Sequence, residues 1–137
     1  MTVIAERVNA LTEQAAARGL RFGYHNHQWE FTNKVDGRSV YELFAEQLIP
    51  AAVLELDTFW ATVADVPALL RSLGERVQFL HNKDGEAGGH IATSLPSSES
   101  ALVVPLALAV AFKEQTPAGQ GDVDVKGILA ARSPSAS

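Results

Sequence analysis

Apolar positions recur every three or four residues in some stretches of the chain and bunch into short continuous runs in others. Over residues 2–18, Ile4, Val8, Leu11 and Ala15 fall on one helical face, with Thr2 placed to cap the start and Gly19 to end it. Leu20 to Tyr24 is a short apolar run and predicts a strand. Asp36-Gly37 marks a turn. Ser39 followed by Glu42 forms a capping box, in which each side chain accepts the other residue's backbone N–H. It opens a helix with Val40, Leu43, Phe44 and Leu48 on its buried face, ended by Pro50. Ala52 to Asp57 predicts a second strand. Asp65 and Pro67 open a third helix through Leu69, Leu70 and Leu73, closed by Gly74. Arg76 to His81 predicts a third strand.

Three times a helix leads into a short apolar strand through a small loop, which is the rhythm of a parallel sheet rather than of hairpins. Beyond it the pattern loosens. Gly85 to Ser100 is rich in glycine and serine and predicts a long, mobile loop. Ala101 to Lys113 suits either a helix or a buried strand. Pro117 to Gly121 predicts a turn, and Asp124 caps a last helix using Val125, Ile128 and Leu129. The chain thus divides into one α/β domain over 1–132, with 85–116 as an irregular loop or insert, and a disordered tail over 133–137.

Each predicted strand carries ionisable groups at its C-terminal end: His25 and His27, then Asp57, then His81 and Lys83. Loops converge at the carboxyl ends of parallel strands, and sites form there. Strand alternation would turn His25 and His27 one way and Tyr24 and Asn26 the other. A solvent-edge or hydrogen-bonded histidine pair explains the first strand alone. It does not explain three consecutive strand ends.

Composition acts mainly by exclusion. The 137 residues suit one domain, and 47% hydrophobic with 20% charged residues is an ordinary globular balance. A net charge of −5 argues against nucleic-acid or anionic-membrane partners. Without cysteine there is no disulfide, thiolate ligand or cysteine nucleophile. The start lacks the apolar core of a signal peptide, and the longest apolar run, Ala101 to Phe112, is too short for a bilayer and contains Pro105. A cytoplasmic location is the simplest expectation.

Asp57 and His81, on neighbouring strands, suit a divalent cation, with Glu30 as a third ligand and His25 as its competitor. Mixed nitrogen and oxygen donors favour manganese, zinc, cobalt or iron over calcium, with magnesium a further option. Such a cation polarises a carbonyl or binds neighbouring hydroxyls, and so acidifies the carbon-bound proton that a carboxylate or other base removes. Lys83 would complement a developing negative oxygen. Each residue also has a plainer role: Asp57 as a loop cap, His81 as a core histidine, Lys83-Asp84 as a solvated pair. Glu55, one step inward on Asp57's face, suits an interior polar group. Trp29, Phe31, Phe59 and Trp60 suit packing more than a sugar platform. Gly119-x-Gly121 follows no predicted strand and is a turn, not a dinucleotide loop.

Gly23-Tyr24-His25-Asn26-His27-x-x-Glu30-Phe31, Glu55-Leu56-Asp57-x-x-Trp60, His81-x-Lys83-Asp84 and Pro117-Ala118-Gly119-Gln120-Gly121-x-Val123-Asp124 resemble, in order and spacing, the sugar phosphate isomerase/epimerase family of xylose-isomerase-like TIM barrels. The resemblance implies a metal-dependent isomerase or epimerase acting on a small sugar, ketose or polyol by proton abstraction. It places metal ligands at Asp57 and His81, with Lys83 beside them. The family's first-strand glutamate is missing near Tyr24, so Glu30 takes that role, as ligand and catalytic base. His25 and His27 become substrate contacts or substitute ligands, and Trp60 and Asp84 substrate contacts. A whole barrel needs eight βα units in about 250 residues. Roughly four parallel units here imply an incomplete (β/α)8 barrel, about the C-terminal half without its last strand, and a truncated form. Open sheet edges then call for a homodimer or a complementing chain. Two alternatives stand beside the isomerase: a keto-inositol dehydratase-like lyase, and a non-catalytic remnant keeping metal or sugar affinity. A DNA-repair nuclease on the same barrel type is disfavoured by the acidic charge.

Overall fold

In the computed structural model, which describes residues 2–86 and 115–132, local sequence decides most element ends. Helix α1 (Thr2–Ala16) turns Ala5, Val8 and Thr12 inward. The expected stripe is not the buried one: Ile4 and Leu11 are 56% and 43% exposed. The reason is Asn9, which lies on the inward face. It donates to the Gln47 carbonyl and accepts the Ile49 N–H, both at 2.9 Å.

Strand β1 (Gly23–His25) starts later than the apolar run predicted. A single helical turn, α2 (Trp29–Thr32), follows it. Next comes a tight hairpin of β2 (Lys34–Val35) and β3 (Arg38–Ser39). Asp36 and Gly37 at its tip have φ of 49° and 81°, the left-handed pair that a two-residue hairpin turn demands. Helix α3 (Val40–Gln47) begins at Ser39 with both halves of the capping box formed. Tyr41, Phe44, Ala45 and Leu48 are its buried side, while Val40 and Leu43 are only partly covered. The Arg76 guanidinium closes the far end by donating to the Ala45 and Leu48 carbonyls. Strand β4 (Val53–Asp57), helix α4 (Val66–Leu73) and strand β5 (Val77–His81) complete the repeat. Asp65 caps α4 by accepting the Ala68 N–H at 2.9 Å.

The sheet runs β1-β4-β5, all parallel, with His25 opposite Glu55 and Asp57 opposite His81. The fold is mixed α/β. Tyr24, Leu54 and Leu56 face the helices, and Tyr24 meets Phe44 ring to ring at 4.5 Å. His25, Glu55, Asp57, Phe79 and His81 share the opposite face by alternation.

The expected irregular segment 85–116 has ordered ends. Strand β6 (Asp84–Gly85) pairs antiparallel with β7 (Gln115–Thr116), so the chain leaves and returns at one place. The remainder of the predicted loop, the ambiguous run at 101–113 and the expected tail lie outside the described residues. Helix α5 (Val125–Arg132) packs on α4, with Asp124 accepting the Gly127 N–H at 2.9 Å. Among the described residues no helix is long and apolar enough to cross a membrane.

Candidate metal centre

The three parallel strands end side by side, and two buried polar side chains tie the ends together. Asn26, just past β1, donates to the Asp57 carbonyl at 3.3 Å and accepts the Asp57 N–H at 2.8 Å. Thr58, just past β4, joins β5 in the same manner. Its N–H reaches the His81 carbonyl at 3.1 Å. Its hydroxyl accepts the Lys83 N–H at 3.1 Å and donates to the Lys83 carbonyl at 2.9 Å. The Thr58 backbone N–H and these two side chains thus extend the ladder past the strand ends and tie the backbones that carry His25, Asp57 and His81 to one another.

Asp57 is fully buried and its two oxygens have different surroundings. Oδ1 accepts the N–H groups of Phe59 and Trp60, both at 3.1 Å, as the chain turns into a short 3-10 segment, Trp60–Val63. Oδ2 faces His25 Nε2 at 3.3 Å, His81 Nδ1 at 3.5 Å and Lys83 Nζ at 3.1 Å. None of these approaches has hydrogen-bond geometry, so a buried carboxylate oxygen keeps an unmet lone pair. Leaving such an atom unsatisfied is costly. His25, Asp57 and His81 each offer one ligand atom, all within 4.8 Å of one another, and together they could hold a metal ion. The other nitrogen of His25, Nδ1, lies 3.0 Å from Glu55 Oε2. Metal-binding imidazoles are commonly oriented by a carboxylate in this way.

The residue brought into the cluster with Asp57 and His81 is His25 rather than Glu30. Helix α2 folds Glu30 back under the loop, where it is 5% exposed. Its Oε1 accepts the Tyr24 hydroxyl at 2.6 Å and its Oε2 the His27 N–H at 2.9 Å. Burial pushes its carboxyl above the ordinary range, against the pull of those two bonds. Tyr24 is pushed up in turn, by burial first and then by Glu30. Glu30 is a buried brace for the loop.

His27 does not share a strand face with His25, because β1 has already ended. It lies nearby all the same, its ring 5.6 Å from that of His25 and stacked on Trp29 at 4.4 Å. Burial, then the neighbouring His25, lowers its pKa despite the opposing pull of Asp57. Trp60 is 1% exposed and packs against Phe59, so it is core and not a substrate contact.

Asp84 also departs from expectation. It is fully buried, and four backbone amides surround its carboxylate: Gly85 and Val123 on Oδ1, at 2.8 and 3.0 Å, and Gly119 and Gly121 on Oδ2, at 2.7 and 3.0 Å. Burial alone would raise its pKa, but the four amides together outweigh it and bring it below the usual carboxylate range. A side chain at Gly121 would collide with Asp84 Oδ1. The segment from Pro117 to Asp124 is a cage for this carboxylate.

Sequence reasoning gave Glu55 only as an interior polar group, Asn26 only as the residue facing away, and Thr58 no role. The alternation of Glu55 with Asp57 was the available signal for the first. A cleft of about 350 Å³ runs along the open sheet face beside His25 and Glu55, walled by Arg21 and Phe79. A larger one, of about 470 Å³, lies away from the cluster between the hairpin and α4. No protein-family model matches the chain, and no curated protein matches it significantly.

Proposed function

We propose that the chain is a metal-dependent isomerase or epimerase of small sugars, ketoses or polyols, acting by proton abstraction beside a carbonyl, on an open portion of a (β/α)8 barrel. The observation that carries the proposal is Asp57 Oδ2, which has no hydrogen-bond partner, at the convergence of three parallel strand ends with an imidazole nitrogen on either side and the Lys83 ammonium against it. Two imidazoles and one carboxylate favour manganese, zinc or cobalt over magnesium. When bound, such a cation supplies Lewis acidity toward a carbonyl or paired hydroxyls.

The protein's own groups divide the remaining work. Glu55 holds the His25 ring so that Nε2 faces the centre. Half-buried His27, its pKa lowered, offers a neutral imidazole to a substrate hydroxyl. Lys83 offers an ammonium to a developing negative oxygen. With Glu30 enclosed, Glu55 is the carboxylate at the mouth, its side chain 45% exposed, and it replaces Glu30 as the proton acceptor. A second reading has a specific observation in its favour. Glu55 is tied to His25, which supports a chain that binds metal and sugar without turnover.

One experiment separates the two. The chain is incubated with Mn²⁺ and a ketose in D₂O, and loss of the proton beside the carbonyl is followed by NMR. Exchange that disappears in Asp57→Asn and His81→Ala supports the enzyme. Metal binding without exchange supports the binding protein, and the absence of both overturns the metal centre. We also propose a second copy as the cover of the sheet face that the described residues leave open, since parallel sheets are normally covered on both sides and Phe79 is 42% exposed there. Light scattering should then give about twice the 14.7 kDa chain mass.

A further inference from the structure

We infer that Lys83 and a divalent cation are alternative occupants of one position against Asp57 Oδ2, so that metal binding displaces the Lys83 ammonium from the carboxylate and turns it toward bound ligand. The inference rests on the metal centre proposed above and adds a built-in competitor to it.

The geometry is specific. Lys83 Nζ is 3.1 Å from the same oxygen that His25 Nε2 and His81 Nδ1 approach. Its side chain is 15% exposed, and the ammonium lies over the Trp60 ring, 5.0 Å from the centroid. Thr58 fixes the Lys83 backbone through both its N–H and its carbonyl, so only the four-carbon stem is left to move. A buried carboxylate with no counter-charge is strongly unfavourable, and in the metal-free chain Lys83 supplies that charge.

A cation held by His25, Asp57 and His81 takes the lone pair that the ammonium now faces. Two positive charges at one oxygen repel, and the flexible, compact ammonium is the one that can leave. Displaced from the carboxylate, the ammonium becomes available to a ligand's negative oxygen. Lys83 thus holds the empty centre together and sets the threshold for filling it.

The test is calorimetric titration of the full chain with Mn²⁺ at one pH. Lys83→Met should bind roughly 10- to 100-fold more tightly than the natural chain, the range expected of a removed coupling. Lys83→Arg, which keeps the charge, should stay within about threefold. Lys83→Gln keeps an N–H donor for Asp57 without the charge. It should match Lys83→Met in tighter binding, and it answers the same question if the methionine variant does not fold. Equal or weaker binding by the uncharged variant overturns the competition. His81→Ala serves as the separate control: if it binds Mn²⁺ as well as the natural chain, the metal centre itself is wrong. Absence of binding in the natural chain and the uncharged variants alike overturns both.

Discussion

Among the described residues three buried carboxylates have three different jobs, and hydrogen bonding decides which. Asp57 has one satisfied and one unsatisfied oxygen, so Asp57→Asn keeps the Oδ1 acceptor for Phe59 and Trp60 while removing the charge at the centre. We expect Mn²⁺ binding to be lost, together with a fall in urea stability because the Lys83 ammonium is left without its carboxylate. Glu30 and Asp84 should shift stability with pH in opposite directions. The Glu30 pKa is raised on folding, so the folded chain holds that proton longer, and stability falls as pH rises from the ordinary value of 4.5 through the raised one. Glu30→Gln should flatten that part of the profile. The Asp84 pKa is lowered, so its contribution is present above its ordinary value of 3.8 and is lost as pH falls through the folded value. Asp84→Asn places an NH₂ against amide donors and should cost about 2–4 kcal/mol in urea unfolding near neutral pH. The juxtaposition of Asp57 and His81 was legible because each ends a strand. The role of Glu30 was not, because nothing in the alternation announces that α2 turns back and delivers the carboxylate to Tyr24.

At the scale of elements, sequence succeeded where the signal is local. The caps at Ser39, Asp65 and Asp124 form as their side chains require, since each bonds within three residues of itself. It failed where a distant partner chose the outcome. The inward face of α1 is set by Asn9 reaching the end of α3, about forty positions along, and no periodicity in α1 encodes that. The hairpin after α2 was half legible: Asp36-Gly37 gave the turn, but strands of two residues are too short for alternation to show. Asn26 lies between these cases, since its position is evident while its clasp on Asp57 is not. Asn26→Ala should remove both bonds, costing about 1–3 kcal/mol. It should also weaken Mn²⁺ binding by loosening His25 against Asp57. Asn33→Ala, whose side chain bonds only the local Trp29 carbonyl on the surface, should leave Mn²⁺ affinity unchanged.

For the whole molecule, the helix-strand rhythm was enough to give three parallel strands in one sheet, because each repeat closes locally. It could not give the cage around Asp84, where Gly119, Gly121 and Val123 return after a long excursion to bond one carboxylate. That cage and the metal centre meet at the end of β5: His81 and Lys83 face the centre, and Asp84 anchors the next step of the chain. Metal binding should therefore stabilise the entire sheet rather than one loop. With Mn²⁺ at about 100 times its dissociation constant, linkage gives about 2.7 kcal/mol of added stability, which for a domain of this size is a rise in Tm on the order of 10 °C. The rise should vanish in Asp57→Asn. At a fixed Mn²⁺ concentration it should be larger in Lys83→Gln than in the natural chain, because there the cation displaces no ammonium. A rise of equal size in all three would place Mn²⁺ elsewhere on the surface.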